Sequence, residues 1–319
     1  VTAPDRWPLA VPAPGLLLTV GEVRDVRQAL PFALPIVKRI RPHIVMPHMI
    51  PDRRVPQVAA ALREAMPGAR VWVQTPANLL ISDTADQVTD RVRAWVSNCI
   101  AARAEVLVFN GEGASAPGRR GWKRGQPLDD AALAKRAQLV LDVARDASAG
   151  ELALGWSTHD RLASHGREGL PVGVWFGPSS PVVVNLSQEY TFTQPRFATL
   201  TEARSRHEGT ARDHAGLVTR GVVRKDLASG GAGYAVIGQA HHHRTEAAAY
   251  YYDQAALAGA WTIEEGSCDE QGILALEADV RLRECVGHEP GRINRWRAER
   301  GLGPGTLDTI TLRSLGLPC

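Results

Sequence analysis

Cysteine is scarce in this chain and badly spaced for its usual structural roles. The four residues Cys99, Cys268, Cys285 and Cys319 show neither CxxC nor CxnH spacing, which argues against a structural zinc site. Cys268 and Cys285 bracket a predicted helix that would hold them roughly 25 Å apart at about 1.5 Å per residue, too far for a disulfide. No apolar run approaches the about 18 residues a membrane span needs. The opening VTAPDRWPLAVPAPG lacks a charged segment followed by an apolar one, so no signal peptide is read there. A soluble protein is expected, with secretion or attachment to a particle left open. Charge of one sign is missing too. Thirty-seven Lys and Arg against 34 Asp and Glu leave a net charge of +3, too small to imply a nucleic-acid partner. GxGxxG and Walker loops are absent, which removes the main sequence support for a doubly wound nucleotide-binding sheet.

What is present is an alternation of short apolar runs and helical patterns. A proline-rich arm, 1–14, precedes it. Strand-like runs fall at 16–20 (LLLTV), 43–46, 70–74 (RVWVQ), 106–109, 152–156 (LALGW), 182–186 (VVVNL), 234–237 (YAVI) and 258–263. Helical patterns lie between them, at 25–40, 56–66, 84–102, 129–147, 196–225 and 247–257, with another at 272–284. Pro31 and Pro35 are expected to kink or divide the first of these, and Ser82 or Asp83 to cap the third. Eight strands interleaved with helices over roughly 270 residues point to an α/β protein, a (β/α)8 TIM barrel spanning 15–287, with the open doubly wound sheet second. A short helical appendage occupies 288–319.

The stretch EVLVFNGE, 105–112, carries the sharpest functional signal. A continuous apolar run suits a strand covered on both faces. Its abrupt end in Asn110, Gly111 and Glu112 delivers a carboxylate to the strand's C-terminal end, where barrels place their chemistry. Other acids follow later strands: Asp160 after the fifth, Glu189 after the sixth, Glu264 and Glu265 after the eighth. Trp156, Gln188, Tyr190, Gln239 and Trp261 fall at or just beyond strand ends, and Trp122 sits in the basic loop APGRRGWKRG. Aromatic faces and amide hydrogen-bonders together suit a carbohydrate, whose ring faces are apolar and whose rims carry hydroxyls. His48, His159 and His241 to His243 define a lesser alternative, a metal-dependent barrel hydrolase, although the HxH after strand one that such barrels use is missing. No metal and no cofactor is assigned.

Two resemblances sharpen this reading. The tail INRWR, 293–297, then Gly301–Leu302, Gly305, Leu307–Asp308 and TLRSLGL, is similar to the second half of the small helical peptidoglycan-binding module of cell-wall hydrolases, over about 27 of the 319 residues. The segments VLVFNGEGA, LGWSTHDRLASHGREGLPVGVWFG and VVVNLSQEYTF resemble those of glycosidase-like barrels of bacterial and phage proteins. Here Ser187 replaces a proline of the family pattern, and Glu189 is inserted between Gln188 and Tyr190. The resemblance implies a glycoside hydrolase-like protein acting on a carbohydrate polymer, peptidoglycan. Glu112 would be the general acid, with Glu189 or, behind it, Asp160, Glu264 or Glu265 as its partner. The alternative it implies is a non-catalytic wall-binding or structural component of a phage tail or secretion particle.

Overall fold

The computed structural model describes residues 17–20, 26–42, 44–111, 129–167, 170–188, 200–239, 260–263, 273, 277 and 292–303. Eight strands run β1 Leu17–Val20, β2 Ile44–Pro47, β3 Arg70–Pro76, β4 Val106–Asn110, β5 Ala153–His159, β6 Val182–Gln188, β7 Tyr234–Gln239 and β8 Ala260–Ile263. Every neighbouring pair is parallel, and β1 also pairs with β8, in register Leu17 with Ala260 and Val20 with Ile263, so the sheet closes on itself. Between strands lie α1 Val26–Ile40, α2 Val55–Ala65, α3 Ala85–Ala101, α4 Asp130–Ser148, the short α5 Leu162–Arg167 and α6 Val172–Phe176, and α7 Leu200–Thr219; α8 Arg292–Glu299 follows the barrel. The helices expected at 247–257 and 272–284 lie outside the described residues, apart from helical positions 273 and 277.

Period-two alternation sorts the strand side chains into two cores. One cluster consists only of strand residues, among them Ile44, Met46, Trp72, Val106, Val108, Val184, Leu186 and Ile237, and fills the lumen. Gly155 belongs to the same layer: a Cβ there would come 2.6 Å from Val184 Cγ1 and 2.9 Å from Val108 Cγ2, so the valines leave no room for a side chain. The alternate positions, including Val73, Phe109, Leu154 and Trp156, pack with the inner faces of the helices. At the N-terminal end of the barrel the Glu105 carboxylate accepts from Arg70 Nε at 2.7 Å and from Trp72 Nε1 at 3.3 Å. The indole N–H of a lumen tryptophan is thereby satisfied.

Three local expectations change. Pro31 and Pro35 do not divide α1, which runs as a single helix of 15 residues. The two prolines are four apart on its exposed side, where water can satisfy the carbonyls they leave without donors. The cap of α3 is Thr84 rather than Ser82 or Asp83. Its hydroxyl accepts from Gln87 N at 3.3 Å while Gln87 Oε1 accepts from Thr84 N at 2.8 Å, a reciprocal capping box. Strands β3, β5, β6 and β7 each run two or three residues past the apolar runs read in the sequence, and the buried polar side chains of Gln74, Ser157 and Gln188 stand where those runs stop or just beyond.

In the tail, α8 ends in a left-handed Gly301 (φ 66°), and Leu302 N donates back to Arg297 O at 2.9 Å. Trp296 is buried, with the Arg300 guanidinium 4.2 Å over its ring. The second helix expected in the tail lies outside the described residues.

Candidate functional site

The C-terminal ends of β4, β5 and β6 meet at a layer of neutral polar side chains just above the apolar lumen. Gln188, the last residue of β6, donates through Nε2 to Asn110 Oδ1 at 3.2 Å and to Ser157 Oγ at 3.1 Å. All three side chains are buried, Gln188 to 2% exposure and Ser157 to 0%. The adjacent Gly111 N donates to Ser157 O at 2.9 Å, extending the β4–β5 ladder one residue beyond the strand. One bracket of amides and a hydroxyl thus ties three strands together at the mouth. Gln74 of β3 is likewise buried there, and His48 forms a parallel bridge with it.

Each of the aspartates described between a strand and the next helix, Asp52, Asp83, Asp129 and Asp160, is engaged by a neighbour. Asp160, directly after β5, is 2% exposed. Arg206 of α7 reaches it with Nε 2.6 Å from Oδ2 and Nη2 2.8 Å from Oδ1, and Thr210 Oγ1 adds a bond of 3.3 Å. Its backbone carbonyl accepts from His214 Nε2 at 2.9 Å, whose Nδ1 accepts from Ser229 N at 3.0 Å. Asp83 pairs with Arg91 at 2.6 Å, and Asp129 caps α4 by accepting from Ala132 N at 2.8 Å. Asp52 pairs with Arg54 at 2.7 Å. Burial pushes the Asp52 carboxyl up, but hydrogen bonds from Arg54 and the charges of Arg54 and Arg53 outweigh it and hold the group below the usual carboxylate range.

Two sequence expectations are corrected by these positions. Asp160 is a structural clamp between β5 and α7, its two carboxylate oxygens already taken, and not a free second acid. Trp156 is not a sugar platform. The apolar run LALGW ends at Trp156, but β5 continues through Ser157, Thr158 and His159, which leaves the tryptophan inside the strand. It is 0% exposed and stacks on Trp175 of α6 with ring centroids 3.5 Å apart, in the layer between barrel and helices.

Gln188 does reach the mouth, where both amide hydrogens are spent on Asn110 and Ser157. Gln239 ends β7, with only its backbone described, and the backbone of Trp261 is in register with Leu18 and Gly238. Glu112, Trp122, Glu189, Tyr190 and His241 to His243 lie outside the described residues. Among the described residues no three His, Cys, Asp or Glu side chains converge on a common point, and no helix is long and apolar enough to cross a membrane. Sequence reading overlooked Asn110 and Ser157, although their polarity at the ends of two apolar runs was the available signal.

No protein-family model matches this chain, and no curated sequence matches it. Its backbone is similar to those of several solved structures. The catalytic domain of a hyperthermophilic chitinase from Pyrococcus furiosus superposes with a TM-score of 0.53 at 9% identity, over 84% of this chain and 94% of that one. The chitinase RmChi1 from Rhizomucor miehei gives 0.52 at 7% identity, over 83% and 99%. A glucosidase from Croceicoccus marinus gives 0.52 at 9% identity over 78% of this chain, which spans 63% of the glucosidase. At such identities the likeness is one of fold: this is an α/β chain of parallel strands with a TIM-barrel-like backbone.

Proposed function

We propose that the chain is a complete (β/α)8 barrel, 15–287, that hydrolyses a bacterial cell-wall polysaccharide, peptidoglycan, with Glu112 as general acid. The observation that carries this reading is the anchoring of the β4 exit. Asn110 is fixed in the mouth by Gln188, and Glu112 follows two residues later, while Asp52, Asp83, Asp129 and Asp160 are all committed to arginines or a cap. In the reaction the Glu112 carboxyl gives its proton to the glycosidic oxygen as the C–O bond breaks. Glu189 takes a proton from the attacking water or bonds the anomeric carbon itself. Neutral amides and hydroxyls around them suit a polyhydroxylated ring, with Trp122, Tyr190 and Gln239 as its further contacts. The arm 1–14 and the partial peptidoglycan-binding-like unit 288–319 would lie outside the catalytic barrel.

Purified protein incubated with peptidoglycan is expected to release reducing ends, and Glu112→Gln to abolish the release. Equal release by that variant discards the assignment. A second reading is favoured by the loss of Asp160 to Arg206, which leaves no described acid to act as partner. In it the barrel is a non-catalytic wall-binding component, of a phage tail or secretion particle. It predicts that wall fragments retain the protein without turnover and that Glu112→Gln leaves retention unchanged.

A further inference from the structure

Gly111, the residue bonded to Glu112, is held from two sides. Its N–H donates to Ser157 O at 2.9 Å. Its α-carbon lies against the indole of Trp156: a Cβ added there would sit 2.6 Å from Trp156 Cε2 and closer still to Cζ2. The indole has nowhere to retreat, being fully buried, stacked on Trp175 at 3.5 Å and 6.0 Å from the Phe109 ring centroid. Gly111 is not among the residues of positive φ, so glycine is required by this contact and not by backbone conformation. On the inner side the preceding residue, Asn110, is bonded to Gln188.

We propose that Trp156 is a positioning residue for the reaction: its ring, backed by Trp175 and pressed on Gly111, sets the direction in which the chain leaves β4 at Gly111, the residue that precedes Glu112. This inference rests on the assignment of Glu112 as the acid. The tryptophan acts from behind the strand, without touching substrate, and a displacement of the β4 exit by about 1 Å is enough to cost on the order of 100-fold in rate.

Gly111→Ala is expected to lower kcat on peptidoglycan by about 100-fold with KM little changed, because the methyl group pushes the exit away from the indole and leaves the sugar contacts in place. Trp156→Phe removes the clashing part of the ring, so the double variant Gly111→Ala/Trp156→Phe should recover at least tenfold of that loss. A purely structural role would lower folded protein without this rescue. Wild-type kcat in Gly111→Ala, or no rescue in a double variant that is folded by circular dichroism, overturns the proposal.

Hydrogen exchange at the Gly111 amide supplies a readout independent of turnover. It should be at least tenfold faster in Trp156→Phe than in the wild type, with the amides of α2 unchanged. Equal protection overturns the proposal whatever the activity. If Glu112→Gln is inactive and Gly111→Ala is fully active, only the positioning role fails. If Glu112→Gln keeps its activity, the catalytic assignment fails and the exchange experiment still decides whether Trp156 fixes the β4 exit.

Discussion

Arg206 Nε lies 2.6 Å from Asp160 Oδ2, with the carboxylate side chain 3% exposed and the guanidinium side chain 34%. The pair joins the end of β5 to the first half of α7, and Thr210 and His214 add bonds at the same junction. Removing a buried partner strands the other charge, which in a fully buried pair costs about 3–5 kcal/mol. Arg206 can turn toward water, so the expected cost is smaller.

Asp160→Ala should therefore destabilise the protein by about 2–4 kcal/mol, read as a lower urea midpoint with an unchanged slope. Turnover per folded molecule should stay within about twofold of the wild type, as expected of a residue that only positions a helix. Loss of turnover by orders of magnitude in a protein of unchanged stability would return Asp160 to the catalytic set.

Gln188 makes a prediction of a different kind, since its carboxamide is the shared donor to Asn110 Oδ1 and Ser157 Oγ. Gln188→Leu leaves those two acceptors buried without that donor and should cost about 1–3 kcal/mol. In Gln188→Glu the new carboxyl is buried, and burial raises its folded-state pKa above the unfolded value of about 4.3. Its neutral form is then the one the fold prefers. The deficit relative to wild type should be largest at high pH and shrink as pH falls through the folded pKa, since only then does the group regain an O–H to donate. Urea midpoints of the two proteins at pH 8 and pH 5 test this, and a constant gap refutes it.

The fold was legible because closing a parallel barrel demands apolar runs on every strand, and all eight runs stand in the chain. Residues such as Val106 to Phe109 are buried on both sides, which is why they read as continuous and not alternating. The strand ends were not legible, because at the mouth the inward residues turn polar and the apolar signal stops early. This moved Trp156 from a strand end into the helix-facing layer, and it hid Ser157 as a partner of Gln188. Asp160 was placed correctly after β5, but its partner Arg206 is 46 residues away on α7. Nothing local announces a contact of that length.

Cys99 gives the last prediction. It lies on the inner face of α3, 0% exposed, and burial alone pushes its thiol far above the ordinary value of 9.0. Native protein at pH 8.5 should alkylate at Cys99 at least about 100-fold more slowly than unfolded protein, because reaction must await opening of the core. Peptide mass analysis after iodoacetamide measures this at the one residue. The same burial sets a sign for stability. Above pH 9 the unfolded thiol loses its proton while the native one keeps it, so stability falls as pH rises, by up to about 1.4 kcal/mol per unit from this group. Cys99→Ala should cost about 1 kcal/mol at neutral pH through the small cavity it leaves, yet lose less stability than wild type between pH 8.5 and 10.5. Parallel pH profiles for the two proteins would show that Cys99 ionises as readily in the native state as in the unfolded one.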